Sequence, residues 1–110
     1  MCHRVLVDQA DPDSFFAATS EVEGDHVRVL VSGEVDMATA DAMIRSTNQD
    51  GVRRITLDLR SVSFFDSAAI HAVVRLAEEF PDALTVLPSR QVRRVLDISG
   101  LGDQPWLHPG

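Results

Sequence analysis

The chain has 110 residues, with 10 basic side chains, all of them arginine, against 17 acidic ones, for a net charge of −7. That length suits one core rather than two, since a domain of this size hides roughly 65% of the surface its unfolded chain exposes. The acidic balance speaks against nucleic acid, whose phosphates demand clustered Lys and Arg, and apolar runs of no more than about five residues fall far short of the ~20 that cross a bilayer.

No charged and apolar leader precedes Asp8. The single cysteine, Cys2, has no partner for an internal disulfide, so a reducing cytoplasm is the expected setting. Residues 1–14 read as a loose entry, with a short strand over residues 4–7 and then a polar stretch containing Pro12.

Residues 15–22 read as the first ordered strand, and Glu23-Gly24-Asp25 as a turn. The next strand, residues 26–32, is β-branched and short, with Val27, Val29 and Val31 on one face and Leu30 on the other. Asp36 is placed to cap a helix running to about Asn48, with Met37, Ala40, Met43 and Ile44 as its apolar stripe and Gly51 as its stop.

Residues 53–59 alternate, with Ile55, Leu57 and Leu59 pointing one way and Arg54, Thr56 and Asp58 the other. Val62, Phe64 and Phe65 follow in an apolar loop, where the two phenylalanines anchor one on each side unless one is left outside as a contact. A second helix is expected over residues 67–80, with Ile70, Val73, Val74 and Ala77 inward, Arg75, Glu78 and Glu79 outward, and Pro81 as terminator.

Residues 83–87 make a further strand. Ser89 then caps a helix carrying Val92, Val95 and Leu96, which stops at Gly100-Leu101. A last extended segment spans residues 105–109, with Trp106 covering the sheet edge. Strands alternating with three-turn helices imply an α/β fold: a small mixed, largely parallel sheet of four or five strands with three helices packed on it, in a single domain.

Four segments in this order resemble the STAS domain family. They are Ser32-Gly33-Glu34-Val35-Asp36, the run from Leu57 to Ser67, the run from Pro88 to Leu96, and Ser99-Gly100-Leu101. The resemblance implies the job of an anti-sigma-factor antagonist, which binds an anti-sigma-factor kinase and frees the sigma factor it holds. It also implies a phosphorylation switch at the start of the helix after the third strand, in the motif Asp-Ser-(Ser or Thr)-Gly-(Leu or Ile). Here the matching stretch is Asp66-Ser67-Ala68-Ala69-Ile70.

Ala68 therefore stands in the acceptor position without an oxygen to modify, Ala69 replaces the glycine, and His71 stands where the family places a small residue. The expected form is permanently unphosphorylated, with Ser67 the one hydroxyl able to substitute. The partner-binding surface implied by the resemblance runs from Phe65 to Val74, flanked by Asp36 to Ala40, with Phe65, Asp66, Ser67, Ala68, Ala69, Ile70, His71, Val74, Asp36 and Thr39 as its contacts. The alternative is a non-catalytic subunit of a membrane lipid-transport ATPase assembly.

Plainer readings stand beside these. Asp66, Asp36 and Thr39 also serve simply as caps. Ser67 and His71 lie four apart on a helix, but no orienting carboxylate or oxyanion hole accompanies them, so catalysis is not expected. Arg90, Arg93 and Arg94 form a basic face, either solvated or docked on an acidic partner. His3, His26, His71, His108 and Cys2 show no metal-ligand spacing, and Gly33, Gly51 and Gly100 form no phosphate loop, so neither metal nor cofactor is expected. The resemblance implies a further C-terminal helix packed on the sheet, so here either that helix is dispensable or the flank it leaves is covered by a partner or by a second copy in a homodimer.

Overall fold

The computed structural model describes residues 16–108 together with the backbone of residues 9–10. A five-stranded sheet runs in the order β1-β2-β3-β4-β5. Strands β1 (Gln9–Ala10), β2 (Phe16–Glu23) and β3 (His26–Val35) pair antiparallel, whereas β3, β4 (Arg54–Phe65) and β5 (Leu84–Pro88) pair in parallel. Each parallel step carries a helical crossover, α1 (Ala40–Arg45) between β3 and β4 and α2 (Ser67–Glu79) between β4 and β5. Helix α3 (Arg90–Ile98) follows β5 and lies against β4. The expected mixed α/β architecture with three helices is the one observed.

The β2–β3 hairpin turns at Gly24, whose φ of 61° a side chain would resist. Register then puts Ala18 opposite Val31, Val27 beside Ile55, and Val29, Leu57 and Val86 in one row, all on the face that carries the core. Met43 from α1, Ala69, Val73 and Leu76 from α2, and Val92 and Leu96 from α3 close over the core. The buried stripe of α2 is thus rotated from the expected one: Val73 is central, while Ile70, Val74 and Ala77 lie at its margins.

The opposite face is polar. There Asp58, nearly buried, accepts from Arg60 Nε at 3.0 Å and from the Arg60 guanidinium at 2.7 Å, and Arg28 on β3 approaches to 3.5 Å. Its hydrogen bonds from Arg60, helped by the charges of Arg60 and Arg28, hold the Asp58 carboxyl below its ordinary range against the opposing effect of burial.

Several boundaries differ from the sequence reading. Residues 62–65 are not a loop: β4 runs on to Phe65 because β3 runs on to Val35 and supplies the hydrogen bonds. Two register shifts, after Leu30 and after Gly33, break the alternation that would have marked this stretch as strand. In consequence Phe65 is buried while Phe64 is 45% exposed, so only one of the pair anchors.

Helix α1 is also shorter than expected. Asp36 caps the turn ahead of it rather than the helix, and Met37 is 82% exposed instead of lying in the apolar stripe. Backbone of residues 9–10, expected in the loose entry, pairs with Ala17 and Ala18. The strand proposed for residues 4–7 lies outside the described residues.

At the other end the local signals hold. Ser89 Oγ accepts from the Val92 N–H at 3.1 Å and donates to the Val62 carbonyl at 2.7 Å, tying the start of α3 to β4. Gly100 has φ 79°, and the Leu101 N–H reaches back to the Leu96 carbonyl at 2.8 Å, as a Schellman stop requires. The β5 edge is not left open. The Val86 N–H donates to the Trp106 carbonyl at 2.7 Å and Val86 O accepts from the His108 N–H, with Leu107 bridged to Val86 and Trp106 buried. The chain itself therefore covers this edge with the extended segment that carries Trp106, as the sequence reading expects.

Candidate functional site

Strands β3 and β4 end side by side, with Val35 opposite Phe65. Parallel strands deliver their connections at the same edge of the sheet, which is where α/β proteins assemble binding surfaces. Here that edge carries Asp36 and Asp66, each one residue beyond its strand. The Asp66 N–H donates to the Val35 carbonyl at 3.2 Å and locks the two exits together.

The Asp36 side builds a closed turn. Its Oδ1 accepts from the N–H groups of Ala38 and Thr39, and Thr39 Oγ1 accepts from the Asp36 N–H at 3.0 Å. The Thr39 hydroxyl lies 3.0 Å from the Glu34 carbonyl and is buried. These bonds hold the backbone of the turn, and Met37 lies outward at its tip.

The Asp66 side starts a helix. Asp66 Oδ1 accepts from the Ala69 N–H at 3.1 Å, and the Asp66 carbonyl takes the Ile70 N–H at 3.0 Å. The N–H groups of Ser67 and Ala68 are left facing outward in the first turn, where the helix carries its partial positive charge. Ala69 is wholly buried, so its methyl fills the space a glycine would leave.

Between α1 and α2 these pieces form a shallow groove of ≈ 420 Å³, lined by Met37, Asp41, Ser67, Ala68, His71 and Arg75 together with Ala40 and Ala72. The predicted surface therefore divides. Ser67 and His71 are exposed and Ala68 half-exposed along the groove, with Asp66, Ile70, Val74 and Asp36 partly exposed. Thr39, Phe65 and Ala69 are core residues that position the others and present nothing to a partner.

Asp41 and Arg75 lie outside the surface expected from the sequence, whereas Met37 and Ala72 fall within its bounds without being named as contacts. A Thr at 39, able to end the Asp36 turn, was the signal that the helix starts later and that Met37 lies outside it. Ser67 and His71 share the groove, but neither side chain hydrogen-bonds the other or a carboxylate, so no relay for a nucleophile is assembled.

With this geometry in view, the comparison with known proteins is decisive. A family model described as the STAS domain matches residues 17–110. The chain belongs to the STAS domain family. Among solved structures, an anti-sigma factor antagonist from Mycobacterium paratuberculosis is similar at 27% identity and a TM-score of 0.75, the match covering 93% of this chain and 92% of that one.

The anti-sigma factor antagonist SpoIIAA in its unphosphorylated form matches at 27% identity over 83% of this chain and 85% of that one, with a TM-score of 0.64. The Bacillus cell fate determinant SpoIIAA in its phosphorylated form matches at 26% identity over 83% and 88%, with a TM-score of 0.59. No curated protein sequence matches the chain. In this STAS domain no helix among the described residues is long and apolar enough to cross a membrane.

Proposed function

We propose that this STAS domain is an anti-sigma-factor antagonist that acts by binding an anti-sigma-factor kinase and does not undergo the phosphorylation switch at position 68. The observation that carries the reading is the likeness to an anti-sigma factor antagonist along 93% of the chain, coinciding with an exposed groove at the start of α2. The docking surface is that groove, with Met37 as a protruding apolar contact and the free N–H groups of Ser67 and Ala68 as an attraction for an acidic group of the kinase.

A phosphate on a hydroxyl at position 68 would add −1.5 to −2 charges at about neutral pH beside these donors. The Ala68 methyl removes that option, so the chain stays in its binding-competent form. The test mixes the purified protein with small ATP-binding kinases of the source organism and follows binding by calorimetry and modification by intact mass. Saturable binding with no mass gain on adding ATP is expected, whereas Ala68→Ser gains one phosphate. Phosphate on Ser67 of the parent chain, or binding instead to the nucleotide-binding subunit of a membrane transporter, would overturn the proposal.

A further inference from the structure

The far end of α2 carries a second concavity, of ≈ 540 Å³, that the docking surface above does not use. The two share no lining residue: the first meets α2 at residues 67–75, and the second meets α2 and its C-cap at residues 74–80. Trp106 and Leu84 form its buried floor, Val74 and Phe80 its half-buried wall, and Glu78 and Asp82 its exposed rim.

The charge at this end runs against the helix. A helix C-terminus carries partial negative charge and is ordinarily matched by Lys, Arg or His. The last turn of α2 has no basic residue and instead holds Glu78 and Glu79. Pro81 brings no N–H, so the Ala77 carbonyl lacks the donor that would continue the ladder. Among the described residues neither Glu78 nor Asp82 has an ion-pair partner. An apolar floor with an acidic, cation-starved rim is complementary to a side chain pair that is apolar at one point and cationic beside it.

We propose that the groove between the C-terminal end of α2 and the Trp106 segment binds a basic segment of a partner protein, in which an Arg or Lys adjoins a large apolar side chain. The apolar side chain lies over Leu84 and Trp106, and the cation sits between Glu78, Asp82 and the open carbonyl end of the helix. This surface is separate from the kinase-docking groove, so the two proposals stand or fall independently.

Trp106 is the chain's only tryptophan and there is no tyrosine, so ultraviolet fluorescence reports on this site alone. The probe is a capped hexapeptide with adjacent Phe and Arg, its control the same peptide with Glu for Arg. The Phe-Arg peptide is expected to change the Trp106 emission saturably, with amide NMR shifts confined to residues 74–85 and 104–107. Glu78→Gln and Asp82→Asn are each expected to weaken binding by about two- to fivefold, the range for an exposed ion pair.

Both substitutions keep the fold, because Gln matches Glu in helix propensity and Asn tolerates the positive φ of 63° that Asp82 adopts. Binding to the kinase is expected to be unchanged in both. Three results would each overturn the proposal: no saturation by either fluorescence or NMR, equal binding of the Phe-Glu peptide, or sedimentation showing a dimer that Glu78→Gln disrupts, since the occupant would then be a second copy.

Discussion

Removing the carboxylate of Asp66 tests whether the start of α2 is held by a cap. Its Oδ1 accepts from the Ala69 N–H at 3.1 Å, the side-chain cap of the first turn. Losing an Asp cap costs about 1 kcal/mol, and losing its charge at the helix N-terminus costs about 0.3–1 kcal/mol more. With an unfolding entropy near 2.1 cal/mol/K per residue, each kcal/mol lowers Tm by about 4 °C in a chain of this length. Asp66→Ala should therefore melt about 5–8 °C below the parent.

Asp66→Asn separates the two contributions, because Asn caps as well as Asp but carries no charge, and a fall of only about 1–4 °C is expected from the lost charge. Differential scanning calorimetry at pH 7 supplies the comparison. Kinase affinity, measured well below both melting points, should drop more for Asp66→Ala, whose frayed first turn displaces Ser67 and Ala68. An Asn variant as unstable as the Ala variant would refute capping as the organising interaction, and an Ala variant of unchanged Tm would refute it outright.

Two further expectations follow from the packing and from the polar face. Met43→Ala empties a fully buried site under α1 and should cost about 2–5 kcal/mol in urea unfolding. A helix of only six residues has no stability of its own, so hydrogen exchange in residues 40–45 should rise most. The lowered pKa of Asp58 means that its contribution to stability is complete above the unfolded-state value near 3.8 and is lost as pH falls through the still lower folded value. Asp58→Asn should therefore be less stable than the parent at neutral pH, with the gap closing below pH ~3.8; a gap that stays constant down to the lowest measurable pH would contradict the assignment.

Much of the candidate site was legible in the chain because its determinants are local. Asp66 before an apolar-periodic run and Ser89 before another are capping signals that operate within three residues, and both caps are observed. The missing hydroxyl at position 68 is likewise a fact of sequence, needing no fold to be read. The groove itself was only half legible. Nearness to the 66–70 motif makes contacts of Phe65 and Ala69, and nearness to Asp36 makes one of Thr39, but packing turns all three inward.

What the amino-acid order determined by itself was therefore the alternation of strands and helices, the helix caps at Asp66 and Ser89, and the Gly100 stop, since each depends on side-chain period or on hydrogen bonds between near neighbours. Tertiary structure decided the rest. Residues 61–65 become strand only because residues 32–35 lie alongside with matching donors and acceptors, and two register shifts hide that pairing from any one-dimensional pattern. The same long-range pairing leaves Phe64 outside and Phe65 inside, and the Asp36–Thr39 turn projects Met37 into water. Residues far apart in the chain must first be brought together before such choices acquire an energy.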